Sequence, residues 1–206
     1  MPCPARRSYL GLVSADAPEA CTAQVHVLCA GASRGRLAST VGFIRDGDTK
    51  VIIDPGMVAD REDILAPLAE LGELAESVTD VVFSHPDPSH TLHAALFPHA
   101  RYHDHQAIYH RDQRLARRGD RFLISPAIRL IATPGRAGRQ LTTLAATGHG
   151  VVVFTHLWHS ATDPLDGRRP AIRSSLQAAR GRVLAIATRI VPGHAPSFRP
   201  GPDTPV

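Results

Sequence analysis

The sequence is poor in cysteine, with three in 206 residues, and none of them belongs to a C-x-x-C pair. Cys3, Cys21 and Cys29 are odd in number and confined to the N-terminal part of the chain. This pattern disfavours both a disulfide framework and a thiolate zinc site, and we interpret the three as reduced thiols. No G-x-S-x-G sequence is present, and no cysteine lies in a known catalytic motif, so we expect no serine or cysteine nucleophile.

Long apolar runs are also missing. No stretch approaches the roughly 20 apolar residues that a transmembrane helix requires. Two early arginines are not followed by an apolar segment of signal-peptide length. We therefore predict a cytoplasmic protein with no membrane partner.

Lysine is almost absent, because Lys50 is the only one, although the formal net charge is +4. Arginines gather in residues 111–121, which could form a nucleic-acid-binding patch. Two acidic residues dilute the run and no aromatic residue lies within it, which favours a solvated loop or helix face. A nucleic-acid partner is accordingly disfavoured.

The apolar and charged fractions, 43% and 20%, are ordinary for a globular protein. We predict one domain over residues 1–206, with a loose arm at 1–20 and an extended tail at 199–206. Predicted strands lie at 24–29, 39–44, 50–54, 78–83, 101–103, 121–125, 127–132, 141–147, 150–155 and 183–191. Predicted helices lie at 60–76, where Pro67 is expected to kink or split the helix, at 91–97 and at 170–180. This order predicts an α/β domain in which helices cover sheets.

Residues 84–90, Ser-His-Pro-Asp-Pro-Ser-His, follow the predicted strand 78–83. Histidine and carboxylate side chains that converge from strand ends can bind a metal ion. The spacing of His85 and His90 suits such a loop, whereas Asp87 stands between two prolines. We therefore interpret this loop as part of a metal site that has lost some of its ligands.

Four segments in this order resemble the metallo-β-lactamase superfamily across roughly residues 24–198. They are Val-Ile-Ile-Asp-Pro-Gly at 51–56, the loop at 84–90, Ala-Thr-Pro-Gly-Arg at 132–136, and Ile-Val-Pro-Gly-His-Ala-Pro at 190–196. They match the family's D-x-G, T-H-x-H-x-D-H, T-P-G-H and V-P-G-H-G-P patterns, and they are most similar to small hydrolase-like members called metallo-β-lactamase domain-containing proteins. The resemblance implies a four-layer αβ/βα sandwich whose edge usually holds two zinc ions bridged by hydroxide. It names no substrate, because one fold hosts many activities.

The first metal position of the family has three histidines, and the matching residues here are His85, Asp87 and Arg136. Arginine remains charged and offers only donors, so it cannot replace a ligand. We hypothesise that Arg136 occupies the place of the first metal and pairs with Asp87. Both could then act catalytically, Arg136 on a substrate carboxylate or oxyanion and Asp87 as its support or as a general base.

The second metal position matches Ser89, His90, His156 and His194. Ser89 is a poor ligand and can only support the site, but three imidazoles and a water molecule form an acceptable open zinc site. The resemblance implies that Asp54 orients a ligand histidine. Zinc, one ion per chain, is the predicted cofactor, with His85 as a further potential ligand.

Other residues follow less directly from the pattern. His105 and Tyr109 match a region that lines the cleft in related proteins, and Trp158 is predicted to form a pocket wall, so these three are candidate substrate contacts. His103 and His105 flank Asp104, and we interpret them as rim or surface histidines rather than a second metal clamp. A homodimer is possible.

Two functions stay open at this point. The first is a mononuclear metal-dependent hydrolase in which metal-activated water attacks a small ester, thioester, lactone or amide. The second is a non-catalytic descendant without metal, whose cleft binds an anionic small molecule or a protein partner.

Overall fold

A computed structural model describes residues 22–33, 35, 37–117, 121–135, 138–163 and 170–206. The predicted arm at 1–20 and Arg136 therefore lie outside the described residues. None of the described helices combines the length and apolar character needed to cross a membrane.

Two sheets form the body of the molecule. The first contains seven strands in sequential order: β1 Gln24–Cys29, β2 Val41–Asp46, β3 Thr49–Ile53, β4 Asp80–Val82, β5 Arg101–His103, β6 Ala107–His110 and β7 Gln113–Ala116. The second has the order β12-β11-β10-β9-β8, from β8 Arg121–Leu123, β9 Ile128–Gly135, β10 Gly138–Thr147, β11 Gly150–Thr155 and β12 Ala187–Pro192. Strands β3, β4 and β5 are parallel to one another, and β11 is parallel to β12.

Three α-helices accompany the sheets: α1 Glu62–Glu70, α2 Pro88–Thr91 and α3 Pro170–Leu184. Helix α1 ends earlier than its apolar spacing predicts, and a short 3₁₀ turn, Ala75–Ser77, follows it. Pro67 lies inside α1 and does not end it. The helix predicted at 91–97 is instead divided into α2, which begins earlier, and a 3₁₀ turn at Ala94–Leu96.

Three buried apolar clusters separate the layers. The central cluster joins the two sheets, with Ile44 and Ile53 from the first facing Leu130 and Phe154 from the second. A second cluster packs α1 on the outer face of the first sheet, and a third packs α3 on the outer face of the second. The predicted α/β fold, a four-layer αβ/βα sandwich, is confirmed.

Two local predictions need correction. Residues 111–117, predicted as part of a solvated loop or helix face, are solvated but not helical, because β6 and β7 form an antiparallel hairpin whose turn has Arg111 at φ 57°. All four side chains of β7 are exposed, which explains why no apolar alternation marked this strand. The tail at 199–206 is not extended throughout, since a turn closes between Gly201 and Thr204 and the carbonyl of Pro205 accepts a hydrogen bond from Trp158.

Candidate metal centre

The candidate site lies where four strands end at one edge of the sandwich. Asp54 directly follows β3, and the loop containing His90 follows β4. His156 directly follows β11, and His194 comes two residues after β12. Parallel strands bring their carboxyl ends to the same edge, so each sheet supplies two of these loops from a parallel pair.

His90, His156 and His194 converge at this edge. One potential ligand atom from each lies within 4.8 Å of the other two. The Nε2 atoms of His90 and His194 are 3.1 Å apart. Two nitrogens bound to one tetrahedral zinc ion at ordinary distances lie ~3.3 Å apart, so this spacing suits a shared metal ion.

In two of these rings, the contact of Nδ1 determines which ring nitrogen carries the proton and which carries the lone pair. Nδ1 of His194 donates to the carbonyl of Ala38 at 2.8 Å, so its Nε2 carries a lone pair. Nδ1 of His90 lies 3.1 Å from Oδ2 of Asp54 without hydrogen-bond geometry, and the negative charge of the carboxylate favours a proton on Nδ1. The two Nε2 lone pairs then face each other, an arrangement that a cation between them would stabilise.

The third histidine of the group, His156, also suits a metal ion. Its Nε2 is buried and makes no hydrogen bond within the described part of the chain, although buried polar atoms are normally paired. Burial, together with neighbouring His90, lowers the pKa of His156 to about 3. Burial also lowers the pKa of His194. Both rings are therefore neutral at neutral pH, the state in which imidazole binds a metal ion.

The carboxylate of Asp54 supports His90. This carboxylate accepts hydrogen bonds from the backbone N–H of Ser84, at 2.7 Å, and from the Ser84 hydroxyl. Burial by itself would raise the pKa of Asp54, but His90 and these hydrogen bonds outweigh it and hold the pKa below its ordinary value. Asp54 is left-handed, with φ 50°, a conformation that aspartate tolerates better than most residues. It remains a carboxylate beside His90, the place expected for a ligand-orienting acid.

Two glycines allow the loops to approach this closely. A β-carbon on Gly56 would lie 1.7 Å from the carbonyl oxygen of Ser89, and one on Gly193 would lie 1.9 Å from Nε2 of His156. Any larger residue at either position would displace the loop or the ligand.

The remaining residues of the loop 84–90 are arranged differently from the family pattern. His85 lies beside the three histidines, with its ring centre 5.9 Å from that of His90, and its Nδ1 accepts from the backbone N–H of Asp87. Its Nε2 therefore carries the proton and is a donor rather than a metal ligand in this arrangement. Asp87 accepts from the backbone and hydroxyl of Ser89, and the backbone bond is the main cause of its lowered pKa. The predicted pairing of Asp87 with Arg136 involves a residue outside the described part of the chain.

Trp158, predicted as a pocket wall, is a buried core residue. Its side chain is 1% exposed and belongs to the apolar cluster beneath α3. Nε1 donates to Pro205, and the guanidinium of Arg180 lies 5.0 Å from the ring centre. These contacts argue against a role in substrate binding.

The histidines near β5 have different environments. His103 is not at a rim, because it is fully buried with Nε2 2.6 Å from Oδ1 of Asp80. The Tyr109 hydroxyl donates to Asp104 and is therefore already engaged. His105 lies in a cleft, as expected of a substrate contact.

This cleft has a volume of about 880 Å³. Three basic side chains contribute to its lining, His105, Arg117 and Arg139, together with Gln106 and residues 132–134. Sequence reasoning missed Arg117 and Arg139, because neither belongs to a family motif. It also missed the carbonyl of Ala38, since a backbone partner leaves no signal in the residue type.

A sequence model of the metallo-beta-lactamase superfamily matches residues 34–169, which is more than half of the chain. The chain belongs to the metallo-β-lactamase superfamily. Membership is consistent with a metal-dependent hydrolase, and members of this superfamily typically bind zinc.

Two similar proteins carry the name metallo-beta-lactamase domain-containing protein 1. The one from Xenopus laevis is 27% identical over 188 residues, covering 85% of this chain and 81% of that protein. The human one is 28% identical over 172 residues, covering 72% of this chain and 59% of that protein. Both names agree with the resemblance of the motifs.

Solved structures show the same fold. A Thermotoga maritima protein provisionally described as a metallo-beta-lactamase superposes with a TM-score of 0.68 at 21% identity, over 87% of this chain and all of that one. A quorum-quenching N-acyl homoserine lactone lactonase superposes with a TM-score of 0.57 at 15% identity, over 85% of this chain and 89% of the lactonase. At these identities the likeness concerns the fold alone.

Proposed function

We propose that this superfamily member is a mononuclear metal-dependent hydrolase of a small ester, thioester, lactone or amide. One zinc ion would be held by His90, His156 and His194. The observation that carries the proposal is the convergence of three imidazoles, two of which have contacts at Nδ1, to Asp54 and to Ala38, that turn their Nε2 atoms towards one point.

Zinc bound in such a site supplies Lewis acidity and lowers the pKa of water to about 7. The protein's own residues hold and orient the ligand histidines. Asp54 keeps the proton of His90 on Nδ1, and the carbonyl of Ala38 does the same for His194. These contacts leave Nε2 of both rings free to act as a ligand.

His85 has a different role in this proposal. Its Nε2 carries a proton because Nδ1 accepts from the backbone of Asp87. A neutral N–H donor beside the three histidines can stabilise the negative charge that develops on a carbonyl oxygen during attack. The low pKa of Asp87 makes it a weak general base, so its main part is to cap α2 and hold the loop that carries His85 and His90.

The first test is the zinc content of protein purified without chelator, before and after zinc loading, by elemental analysis. We expect about one zinc per chain, lost in the double variant His90→Ala and His194→Ala. His149→Ala is the matched control, because His149 is exposed in the turn between β10 and β11.

The second test is hydrolysis by zinc-loaded and zinc-free protein of a panel of esters, thioesters, lactones and amides. Activity that requires zinc and disappears in the double variant would support the proposal. Absence of zinc after loading, or activity that survives in the double variant, would contradict it and favour the non-catalytic alternative.

A further inference from the structure

The cleft that contains His105 adjoins the metal centre. Leu141 of β10 donates its backbone N–H to the carbonyl of Ser84 at 3.0 Å, which joins the strand carrying Arg139 to the loop that begins before His85. The cleft therefore lies beside the loop that carries His85 and His90.

The floor of the cleft is rigid. A chain of buried hydroxyls runs from Thr133, which lines the cleft, through Thr142 at 3.0 Å to Thr155 at 2.7 Å. Thr155 directly precedes His156. Side-chain hydrogen bonds thus join three strands of the second sheet between the cleft and His156. They fix the distance from the cleft to this histidine.

The ionisable side chains on the described lining of the cleft share one sign of charge. Among the described residues that line it, each ionisable side chain is basic, namely His105, Arg117 and Arg139. Asp104 lies next to His105, but its carboxylate is engaged by the backbone N–H groups of Gln106 and Ala107 and by the hydroxyl of Tyr109. Arginine is the side chain best suited to bind a carboxylate or phosphate through two parallel hydrogen bonds.

Size and composition indicate what kind of anion fits. A volume of about 880 Å³ lies within the range of small-molecule sites. The described lining contains no phenylalanine, tyrosine or tryptophan, so it lacks the aromatic surface on which nucleic-acid bases stack. These features favour a small anionic molecule over RNA.

We propose that Arg139, on a lining that also carries the charge of Arg117, binds a carboxylate or phosphate group of the substrate and thereby places its reactive carbonyl at the metal centre. The inference rests on the proposed hydrolase function and narrows its substrates to anionic small esters, thioesters or amides. The anionic group and the reactive carbonyl occupy separate parts of one site, the cleft and the three histidines.

The kinetic test compares two esters with the same leaving group, neutral para-nitrophenyl acetate and anionic mono-para-nitrophenyl succinate, using zinc-loaded protein. We expect the wild type to prefer the anionic ester by about tenfold in kcat/KM, and Arg139→Gln to lose that preference through KM. Arg139→Lys should keep part of it, because the charge remains without the planar fork. Arg114→Gln, an exposed arginine of β7 outside the cleft, is the matched control and should behave as the wild type.

The binding test separates this inference from the function on which it rests. Succinate and inorganic phosphate are titrated separately into zinc-free protein and followed by NMR chemical shifts, which also distinguishes the two anions. Binding that Arg139→Gln weakens and Arg114→Gln leaves unchanged supports the cleft assignment even if no ester is hydrolysed. Since Arg117 is half-buried, Arg117→Gln is interpreted only when its circular dichroism matches that of the wild type.

Three results would overturn the inference. Equal hydrolysis of the two esters would remove it while leaving the hydrolase proposal intact. Absence of binding by both anions would remove it whatever the hydrolysis result. Binding of a single-stranded RNA oligonucleotide that is much tighter than either anion, depends steeply on salt and requires Arg139 would assign the cleft to nucleic acid instead.

Discussion

Gly193 controls the position of His156 although it carries no side chain. A β-carbon at this position would lie 1.9 Å from Nε2 and 2.2 Å from Cε1 of the imidazole. Separations this short cannot be accommodated unless the ring moves. Since the ring nitrogen is a proposed ligand, the glycine affects metal binding directly.

We therefore expect Gly193→Ala to weaken zinc binding by at least about tenfold with the fold retained, because one of three ligands is displaced. Competition with a chromophoric chelator measures the affinity, and circular dichroism checks the fold. Gly148→Ala is the control, since a β-carbon there meets no atom within 4 Å. Unchanged affinity in Gly193→Ala would remove His156 from the ligand set.

Asp54→Asn tests the supporting carboxylate. Asparagine also tolerates the left-handed backbone of Asp54, so the change affects charge more than conformation. We expect zinc affinity to fall about 10- to 100-fold, as for other residues that hold a ligand histidine. An affinity within twofold of the wild type would show that His90 does not depend on this carboxylate.

At the residue scale, the sequence indicated the side chains of the centre but not their partners. His90, His156 and His194 were recognisable because they stand at motif positions. The carbonyl of Ala38 was not, since it meets His194 across 156 positions of the chain and any residue type would supply the same oxygen. The cationic cleft was missed for a related reason, because Arg117 and Arg139 come together only when the two sheets do.

Strands β4 and β5 are joined by a buried charged group. Asp80 is fully buried and lies 2.6 Å from His103 Nε2, with Arg101 at 2.9 Å. Burial alone would raise the pKa of Asp80, but the hydrogen bonds from His103 and Arg101 outweigh it and hold the pKa below its ordinary value. A carboxylate with a lowered pKa stabilises the folded state above its unfolded pKa, and this contribution disappears as the pH falls through the folded value.

Asp80→Asn should therefore lower the free energy of unfolding by about 3 kcal/mol near neutral pH, because the buried ring of His103 and the guanidinium of Arg101 lose their carboxylate acceptor. The difference between variant and wild type should be constant down to about pH 4 and shrink below it. Urea denaturation across this pH range measures it. Asp48→Asn, in the exposed turn between β2 and β3, is the control, and a difference independent of pH down to full protonation would contradict the assignment.

The success of prediction at the element scale depended on burial. Strands β3 and β11 were predicted because buried strands read as apolar runs. The hairpin of β6 and β7 was not, since the exposed edge strand β7 carries only one apolar side chain of any size, Leu115, and that one faces solvent. An edge strand is defined by its hydrogen bonds, which the residue types do not record.

At the scale of the whole molecule, the C-terminal tail ties several elements together. The carbonyl of Pro205 accepts from Trp158 Nε1 at 2.8 Å and lies 3.4 Å from a guanidinium nitrogen of Arg180. Arg180 in turn donates to the carbonyls of Leu157 and Asp163, so it holds the loop that follows His156. The layer order followed from the alternation of strands and helices, whereas this contact of the tail did not.

Deletion of residues 203–206 should lower the free energy of unfolding by about 1–3 kcal/mol, because Nε1 of buried Trp158 loses its acceptor, whereas Arg180 keeps its bond to Asp163. Urea denaturation followed by the fluorescence of Trp158, the single tryptophan, measures both the stability and its environment. Arg199→Ala, an exposed change in the same tail, is the control. Full stability of the deletion variant would show that the tail is not a structural part of the domain.

The proposed ligands are far apart along the chain, since His90 and His194 are separated by 104 positions. During synthesis the seven strands of the first sheet leave the ribosome before β11 and β12. His90 is therefore made before His156 and His194, which follow those two strands. Closing so long a loop is slow and entropically costly, and packing of the two sheets rather than the ion must overcome that cost. Zinc would then arrive at a finished domain, and the cell's supply of zinc would determine how stable the protein is after folding rather than whether it folds.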